Sequence, residues 1–342
     1  MLNTRESLRS IRLGKAAIAF LVVLSPLACV GLFDFGSGYD KRALTIETVS
    51  LFNQRQPSRL SKKSWVGDWI LRRSRLELID TEIKNLKPDV LMLQEIMAKR
   101  GSTAESDQAI LAAGSLANYD WRLDLVEDYL DTLEQEYLGF ALAFPQKFSQ
   151  LDGDKRQIWN MGAGGYLSVA TFEYEGQPID IFNVRLPEKS EGYQIWYSFL
   201  EERIIERLRF FRHCPKRVIV SGLMPGSEEN PRYLSLLQSA RLKDTAVGFC
   251  QIPSRCYTAT PTNELFMATE GEKSPVRTDR ILVSESAYVY NSGRVFDDPD
   301  PSPRYGKDLG ISQLWPTQRF GWMAQVRLAR CSERELDDVV RP

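Results

Sequence analysis

Hydrophobic residues recur along the chain with two periods, which predict two kinds of element. Leu44–Leu51 alternates apolar with polar side chains, which predicts a strand. The apolar residues of Trp65–Leu86 follow helical spacing, and Lys87-Pro88 ends that helix. Further strands are predicted at Val90–Leu93, Tyr137–Phe144, Val218–Val220, Arg280–Ser284 and Trp322–Leu328, and further helices at Ala109–Leu116, Tyr193–Phe211 and Glu228–Arg241. This mixture predicts one α/β domain, residues 44–329.

Two turns can be placed by their composition. Tyr166–Tyr174 and Ile179–Asn183 flank Glu175-Gly176-Gln177, which predicts a β-hairpin. The glycine-rich stretch Met161–Tyr166 precedes a strand and does not join a strand to a helix. We therefore interpret it as a turn and not as a phosphate-binding loop.

The N-terminal pattern is typical of an exported or anchored chain. Basic residues in segment 1–15 precede the uncharged segment 16–33, whose length is at the lower limit for a membrane span. The basic flank predicts a cytoplasmic N-terminus. We expect a single-pass anchor in a bacterial inner membrane, a linker at 34–43, the domain in the periplasm and a tail at 330–342. A lipoprotein signal ending at Cys29, a cleaved signal peptide and a buried core helix are the alternatives.

Charge and histidine content narrow the function classes. Lys and Arg total 44 and Asp and Glu total 45, so the balance gives no general attraction to nucleic acid. The chain has 1 histidine, His213, which lies between a helical stretch and a strand. We interpret it as a loop or helix-end residue. Hydrolytic mechanisms that need two imidazoles are therefore excluded.

The cysteines give one candidate disulfide. Cys214, Cys250, Cys256 and Cys331 follow the apolar segment, an even number that permits disulfides in an exported chain. Cys250 and Cys256 bracket a short loop and are the candidate pair; buried thiols are the alternative. Their spacing does not fit a CxxC zinc site.

Short segments at strand ends carry a resemblance to a known family. Four of these segments contain a polar residue of interest: Asn53 in VSLFNQR, Glu95 in KPDVLMLQEI, Asn183 in IDIFNVRLP and Asp279 in VRTDRILVS. Two further segments are RVIVSGLMPG and WPTQRFGWMAQV. In order and spacing they resemble the motifs of the endonuclease/exonuclease/phosphatase superfamily. The resemblance implies a DNase I-like four-layer α/β sandwich that hydrolyses phosphoesters with Mg²⁺ or a similar ion. It implies catalytic positions at Asn53, Asn183 and Asp279, and a metal ligand at Glu95.

Several positions depart from the pattern of that family. Arg185 and Arg319 stand where the family has histidine, Leu223 and Gln318 stand where it has aspartate, and Pro225 stands where it has asparagine. We expect Ser221-Gly222 to end its strand and Leu223 to begin the loop. Leu223 cannot accept a proton, and arginine stays charged at any relevant pH.

The substituted positions suggest a hypothesis about charge. Arg185 and Arg319 would fill the former metal pocket and pair with Glu95 and Asp279, since two guanidinium groups balance two carboxylates. Alternatively, both are ordinary surface arginines, or they hold a phosphate or sulfate group.

The sequence therefore favours a non-catalytic protein. We expect a binding or scaffold role without a cofactor, membrane attachment through residues 16–33, and an unknown protein or a phosphate-bearing ligand as partner. Nucleic acid is not favoured. The alternative is a divergent phosphodiesterase or phosphatase that uses Glu95 as ligand to Mg²⁺ or Mn²⁺.

Overall fold

The structure is a computed structural model that describes most of the chain after residue 39. The described residues are 40–51, 65–99, 111, 114–131, 136–145, 149–150, 157–162, 165–187, 193–210, 217–226, 228–263, 274–299, 316–317 and 319–332. The predicted anchor at 16–33, with segments 1–15 and 34–39, lies outside them. Among the described residues, no helix is both long and apolar enough to cross a membrane.

The described part of the chain contains three α-helices and thirteen β-strands. The helices are α1 (Trp65–Leu86), α2 (Tyr193–Phe210) and α3 (Pro231–Ser239), with a short 3₁₀ helix at Pro253–Arg255. The strands are β1 (Leu44–Ser50), β2 (Val90–Lys99), β3 (Tyr119–Asp131), β4 (Glu136–Pro145), β5 (Ser149–Gln150), β6 (Gln157–Gly162), β7 (Gly165–Tyr174), β8 (Gln177–Arg185), β9 (Val218–Leu223), β10 (Leu242–Asp244), β11 (Asp279–Ser284), β12 (Tyr288–Val295) and β13 (Gly321–Arg327).

The strands form two sheets. One has the order β12-β13-β1-β2-β4-β3, and the other has the order β10-β11-β9-β8-β7-β5, with β6 also paired to β7. The β1–β2 and β8–β9 pairs are parallel. Their crossovers run through α1 and α2, because parallel neighbours cannot be joined by a tight turn. Each parallel pair brings two carboxyl strand ends to the same edge.

Three apolar clusters show how the layers stack. Ile46 and Trp322 of the first sheet belong to the same buried cluster as Ile181 of the second, so this core lies between the sheets. Ile79 of α1 packs in a cluster with residues of β1 and β2. Leu200 of α2 lies in a cluster with residues of α3, β8 and β9. The order helix–sheet–sheet–helix is the four-layer sandwich that the resemblance implied.

Several predicted elements are confirmed, and some bounds change. α1 has the predicted bounds, and the β7–β8 hairpin turns at Glu175-Gly176 with φ of 51° and 75°. α3 begins only at Pro231, because the Asn230 side chain accepts a hydrogen bond from the backbone N–H of Arg232 and caps the helix there. The helix predicted at 109–116 lies mostly outside the described residues. β3 is a strand that the predicted elements do not include, although apolar and polar residues alternate in part of its sequence.

The described chain begins at a buried ion pair. Asp40 Oδ2 lies 2.7 Å from Arg217 Nη1, and both side chains are fully buried. Arg217 also donates to the carbonyl oxygens of Tyr174 at 2.9 Å and Pro178 at 3.1 Å. The backbone N–H of Asp40 donates to the carbonyl of Leu328 at 3.0 Å. This contact fastens the first described residue to both sheets.

The predicted disulfide is present. Cys250 and Cys256 are bonded with a Cα–Cα separation of 5.7 Å, and Cys331 is disulfide-bonded as well. The Cys250–Cys256 bond closes the loop that contains the 3₁₀ helix.

Candidate functional site

The site forms where strand ends from both sheets meet. β1 ends at Ser50, which is in register with Gln94 of β2, next to Glu95. In the other sheet Arg185, the last residue of β8, is in register with Leu223, the last residue of β9. Leu223 is in turn in register with Asp279, the first residue of β11. Arg185, Leu223 and Asp279 therefore form one row across three strands.

The backbone of β2 directs Glu95 into the site. The pairing of β2 with β4 shifts between Gln94 and Ile96, so that Glu95 is the extra residue of a β-bulge. Its φ is 58°, in the left-handed region that residues with a side chain disfavour by about 1–2 kcal/mol. A bulge of this kind re-aims a side chain, and here it lets Glu95 reach across to the other sheet.

Two side chains hold the Glu95 carboxylate. Arg185 Nη2 donates to Glu95 Oε1 at 2.7 Å, and the Ser50 hydroxyl donates to Oε2. The predicted ion pair between Arg185 and Glu95 is thus confirmed. The buried Tyr166 hydroxyl lies beside the pair, and burial, opposed by Arg185, raises its pKa well above the ordinary value.

Leu223 occupies the middle of the row and is completely buried. The prediction that Gly222 ends its strand is wrong, because β9 continues through Leu223. Gly222 has φ of 138°, and a Cβ there would lie 1.9 Å from the carbonyl oxygen of Val184. A glycine is therefore needed for β9 to approach β8 at this level, and the strand continues past it.

The segment after β9 is anchored from several sides. Met224 N–H donates to the carbonyl of Thr278 at 2.7 Å, and the Pro225 carbonyl accepts from the Tyr197 hydroxyl at 3.0 Å. Arg280, itself buried, donates to the carbonyls of Met224 at 3.1 Å and Gly226 at 2.9 Å. Pro225 is thus packed in a fixed turn.

Arg280 belongs to a buried charge network around Asp244. Arg277 Nη1 donates to Asp244 Oδ1 at 2.9 Å, Arg280 Nη1 lies 3.3 Å from Oδ2, and the Tyr233 hydroxyl also donates to Oδ2. Burial opposes ionisation of Asp244, but the two guanidinium groups and the hydroxyl lower its pKa to about 2. The carboxylate therefore stays charged and holds both arginines.

Asp279 is fully buried, with hydroxyl groups around it. The Thr278 hydroxyl donates to Asp279 Oδ2 at 3.0 Å, and the Asp279 N–H donates to Thr258 Oγ1 at 3.1 Å. Burial raises the pKa of Asp279 to about 7, while the Arg319 guanidinium and the threonine hydroxyls act in the opposite direction. Arg319 is also buried, and its positive charge acts on Asp279, but the hypothesis that these two groups form an ion pair stays a prediction.

The raised pKa of Asp279 predicts a pH-dependent stability. Between about pH 4, where an unfolded aspartate ionises, and about pH 7, the folded protein holds a proton that the unfolded chain has released. Its contribution is therefore fully present below about pH 4 and is lost as pH rises through 7, with a slope of at most ~1.4 kcal/mol per pH unit. Asp279→Asn should flatten this decline, measured by urea denaturation from pH 4 to 8.

The comparison of the wild type with Asp279→Asn also controls for other buried carboxyl groups. Burial also raises the pKa of Glu82 to about 7, and Glu82 titrates in both proteins, so the difference between them isolates Asp279. Parallel pH profiles for the two proteins would contradict the assigned protonation of Asp279.

The Asn183 side chain is held by hydrogen bonds to other residues of the protein. Gln94 Nε2 donates to Asn183 Oδ1 at 2.9 Å, and Asn183 Nδ2 donates to the carbonyl of Ala141 at 3.1 Å. Gln94 also donates to Thr48 Oγ1 at 3.1 Å. These bonds join the two sheets behind the site and use both ends of the Asn183 amide.

Some predicted site residues are not placed. Asn53 and Gln318 lie outside the described residues, as does His213. Sequence reasoning did not identify Ser50, Tyr166 or Thr258 as site residues. Ser50 is the last residue of the opening strand, and the register of β1 with β2, which the sequence does not show, puts it beside Glu95.

As it stands among the described residues, the Glu95 carboxylate is not arranged to hold a divalent cation. Mg²⁺ usually keeps several water ligands and takes only one or two carboxylates from the protein, so the surroundings of each carboxylate decide whether it can bind. No group of three or more His, Cys, Asp or Glu side chains in the described part of the chain is arranged to hold a metal ion. The Glu95 carboxylate already contacts a guanidinium, which would repel a cation.

Comparison with known proteins supports the fold. The sequence matches no family profile and no curated protein. An endonuclease/exonuclease/phosphatase family protein from Bacteroides thetaiotaomicron superposes with a TM-score of 0.59 and 16% identity, covering 83% of this chain and 98% of that one.

Two further solved structures have named activities or ligands. A mannosyl-6-phosphatase from Bacteroides thetaiotaomicron gives a TM-score of 0.57 at 16% identity, covering 83% of this chain and 99% of that one. D. rerio TDP2 in complex with a single-strand DNA product gives 0.54 at 14% identity, with 84% and 99% covered. The chain therefore has the fold of the endonuclease/exonuclease/phosphatase superfamily.

Proposed function

We propose that this chain is a non-catalytic member of the endonuclease/exonuclease/phosphatase superfamily with a binding or scaffold role. The observation that carries this proposal is the row Arg185, Leu223 and Asp279, in which a buried leucine lies between a guanidinium and a buried carboxyl group. A hydrolytic site of this fold would need a proton acceptor open to water at its centre.

The neighbouring groups do not replace that acceptor. Arginine remains protonated, so Arg185 and Arg319 stabilise negative charge but cannot activate water. The Asp279 side chain is fully buried and accepts a hydrogen bond from the Thr278 hydroxyl. Glu95 is engaged by Arg185 and Ser50. Loss of a general base alone typically lowers the rate by about 10²–10⁴-fold.

The N-terminal pattern and the disulfides support a proposed location. Residues 16–33 would anchor the chain in a bacterial inner membrane, with the domain in the periplasm. The Cys250–Cys256 disulfide and the disulfide-bonded Cys331 agree with an oxidising compartment. The partner would be a protein or a phosphate-bearing ligand, because the balanced charge does not favour nucleic acid.

One observation favours the alternative, a divergent metal-dependent phosphodiesterase or phosphatase. Glu95 is held in a strained left-handed conformation that aims its carboxylate into the site. Strain of this kind often persists where a side chain has a function. In this alternative Glu95 would leave Arg185 and bind Mg²⁺ or Mn²⁺ with the ligand.

A hydrolysis assay separates the two functions. The purified full-length chain would be given a generic phosphodiester and a phosphomonoester, with Mg²⁺, Mn²⁺ or EDTA. We expect no turnover above that of the Glu95→Ala variant under any condition. Turnover that both EDTA and Glu95→Ala abolish would instead establish the metal-dependent enzyme.

A further inference from the structure

The charge of Glu95 is balanced by groups of the protein itself. Arg185 Nη2 lies 2.7 Å from one carboxylate oxygen, and the Ser50 hydroxyl donates to the other. A divalent cation bound by this carboxylate would approach the same oxygens to about 2.0–2.6 Å. The Arg185 guanidinium and a cation would thus occupy the same position beside the Glu95 carboxylate oxygens.

The backbone places Arg185 opposite Glu95. Arg185 is in register with Tyr166 on one side and with Leu223 on the other, inside the second sheet. The β-bulge turns Glu95 toward it from the first sheet. The Arg185 and Glu95 side chains are 13% and 16% exposed, so small ions in solvent can reach the pair.

We infer that the Arg185 guanidinium replaces a divalent cation at Glu95, so that arginine and metal compete for one position and removal of Arg185 uncovers a metal site. The inference concerns the site of the proposed function and extends it, but it is a statement about binding and does not require the absence of turnover.

The test is Mn²⁺ binding by the full-length protein, followed by thermal unfolding and by electron paramagnetic resonance. Arg185→Met keeps the aliphatic stem and removes the charge, and Arg185→Gln is a second neutral variant if the first is poorly folded. Arg185→Met/Glu95→Gln removes the ligand as well. Arg203→Met is the matched control, because Arg203 forms an ion pair with Glu206 on α2, away from the site.

We expect Mn²⁺ to bind Arg185→Met about 10–100-fold more tightly than the wild type, because the repulsion from a nearby positive charge is gone. The gain should raise the unfolding temperature with millimolar Mn²⁺, as binding to the folded state requires. The double variant and Arg203→Met should gain nothing.

Three results would overturn the inference. Wild-type protein could bind Mn²⁺ through Glu95 as tightly as Arg185→Met does, the neutral variants could gain no binding, or the gain could persist in the double variant. Binding by the wild type without hydrolysis would reject this inference alone, whereas hydrolysis without Mn²⁺ binding would reject only the non-catalytic role.

Discussion

Gly222→Ala is expected to lower the free energy of unfolding by about 3 kcal/mol or more. The added Cβ would lie 1.9 Å from the Val184 carbonyl oxygen, and the φ of 138° is unfavourable for alanine. Relief requires β9 to move away from β8, which would break the parallel pairing that aligns Leu223 with Arg185. Urea denaturation followed by circular dichroism measures the loss.

Gly176→Ala is the matched control. Gly176 also has a positive φ, 75°, but nothing lies within 4 Å of a Cβ built there. Its substitution should cost only the backbone strain, about 1–2 kcal/mol. Equal losses for the two variants would show that the close approach of β9 to Val184 is not a constraint.

Arg217→Met is expected to destabilise the protein by about 3–5 kcal/mol, because it leaves Asp40 buried without its cation. The pair is fully buried, and Arg217 also satisfies the carbonyls of Tyr174 and Pro178. Burial raises the pKa of Asp40 and lowers that of Arg217, while their attraction acts against both shifts. The loss is again measured by urea denaturation.

Two comparisons test the cause of that loss. Lys84→Met breaks an ion pair with Asp80 in which the lysine is 55% exposed, and it should cost less than about 1 kcal/mol. Asp40→Leu/Arg217→Met removes both charges and should recover much of the stability. A double variant as unstable as Arg217→Met would contradict an origin in the unpaired charge.

The elements that the sequence predicts well are those with a strong local signal. Helical spacing and Lys87-Pro88 fix the end of α1, and Glu175-Gly176 fixes the β7–β8 turn. The extension of β9 through Leu223 was missed because Gly222 suggests a strand end when only neighbouring residues are considered. Its actual reason is the distant Val184 carbonyl, which only a fold brings close.

In the candidate site, too, the residues with a local sequence signal were predicted and those that depend on distant contacts were not. Glu95 was identified from its motif, and the pair with Arg185 followed from counting charges. Ser50 was missed because its contact depends on the register between two strands, across 45 positions of sequence. The burial of Asp279, which raises its pKa, likewise has no local signal, because Thr258 and Arg319 approach from other parts of the chain.

The Asp244 network has a consequence for recognition. Because Arg280 ties the carbonyls of Met224 and Gly226 to Asp244, this segment cannot open without breaking buried charged contacts. Movement of this segment as a lid would therefore carry a large free-energy cost. A ligand that docks beside it would meet a surface whose shape is set in advance, so that little conformational entropy is lost there on association and selection rests on complementarity of shape.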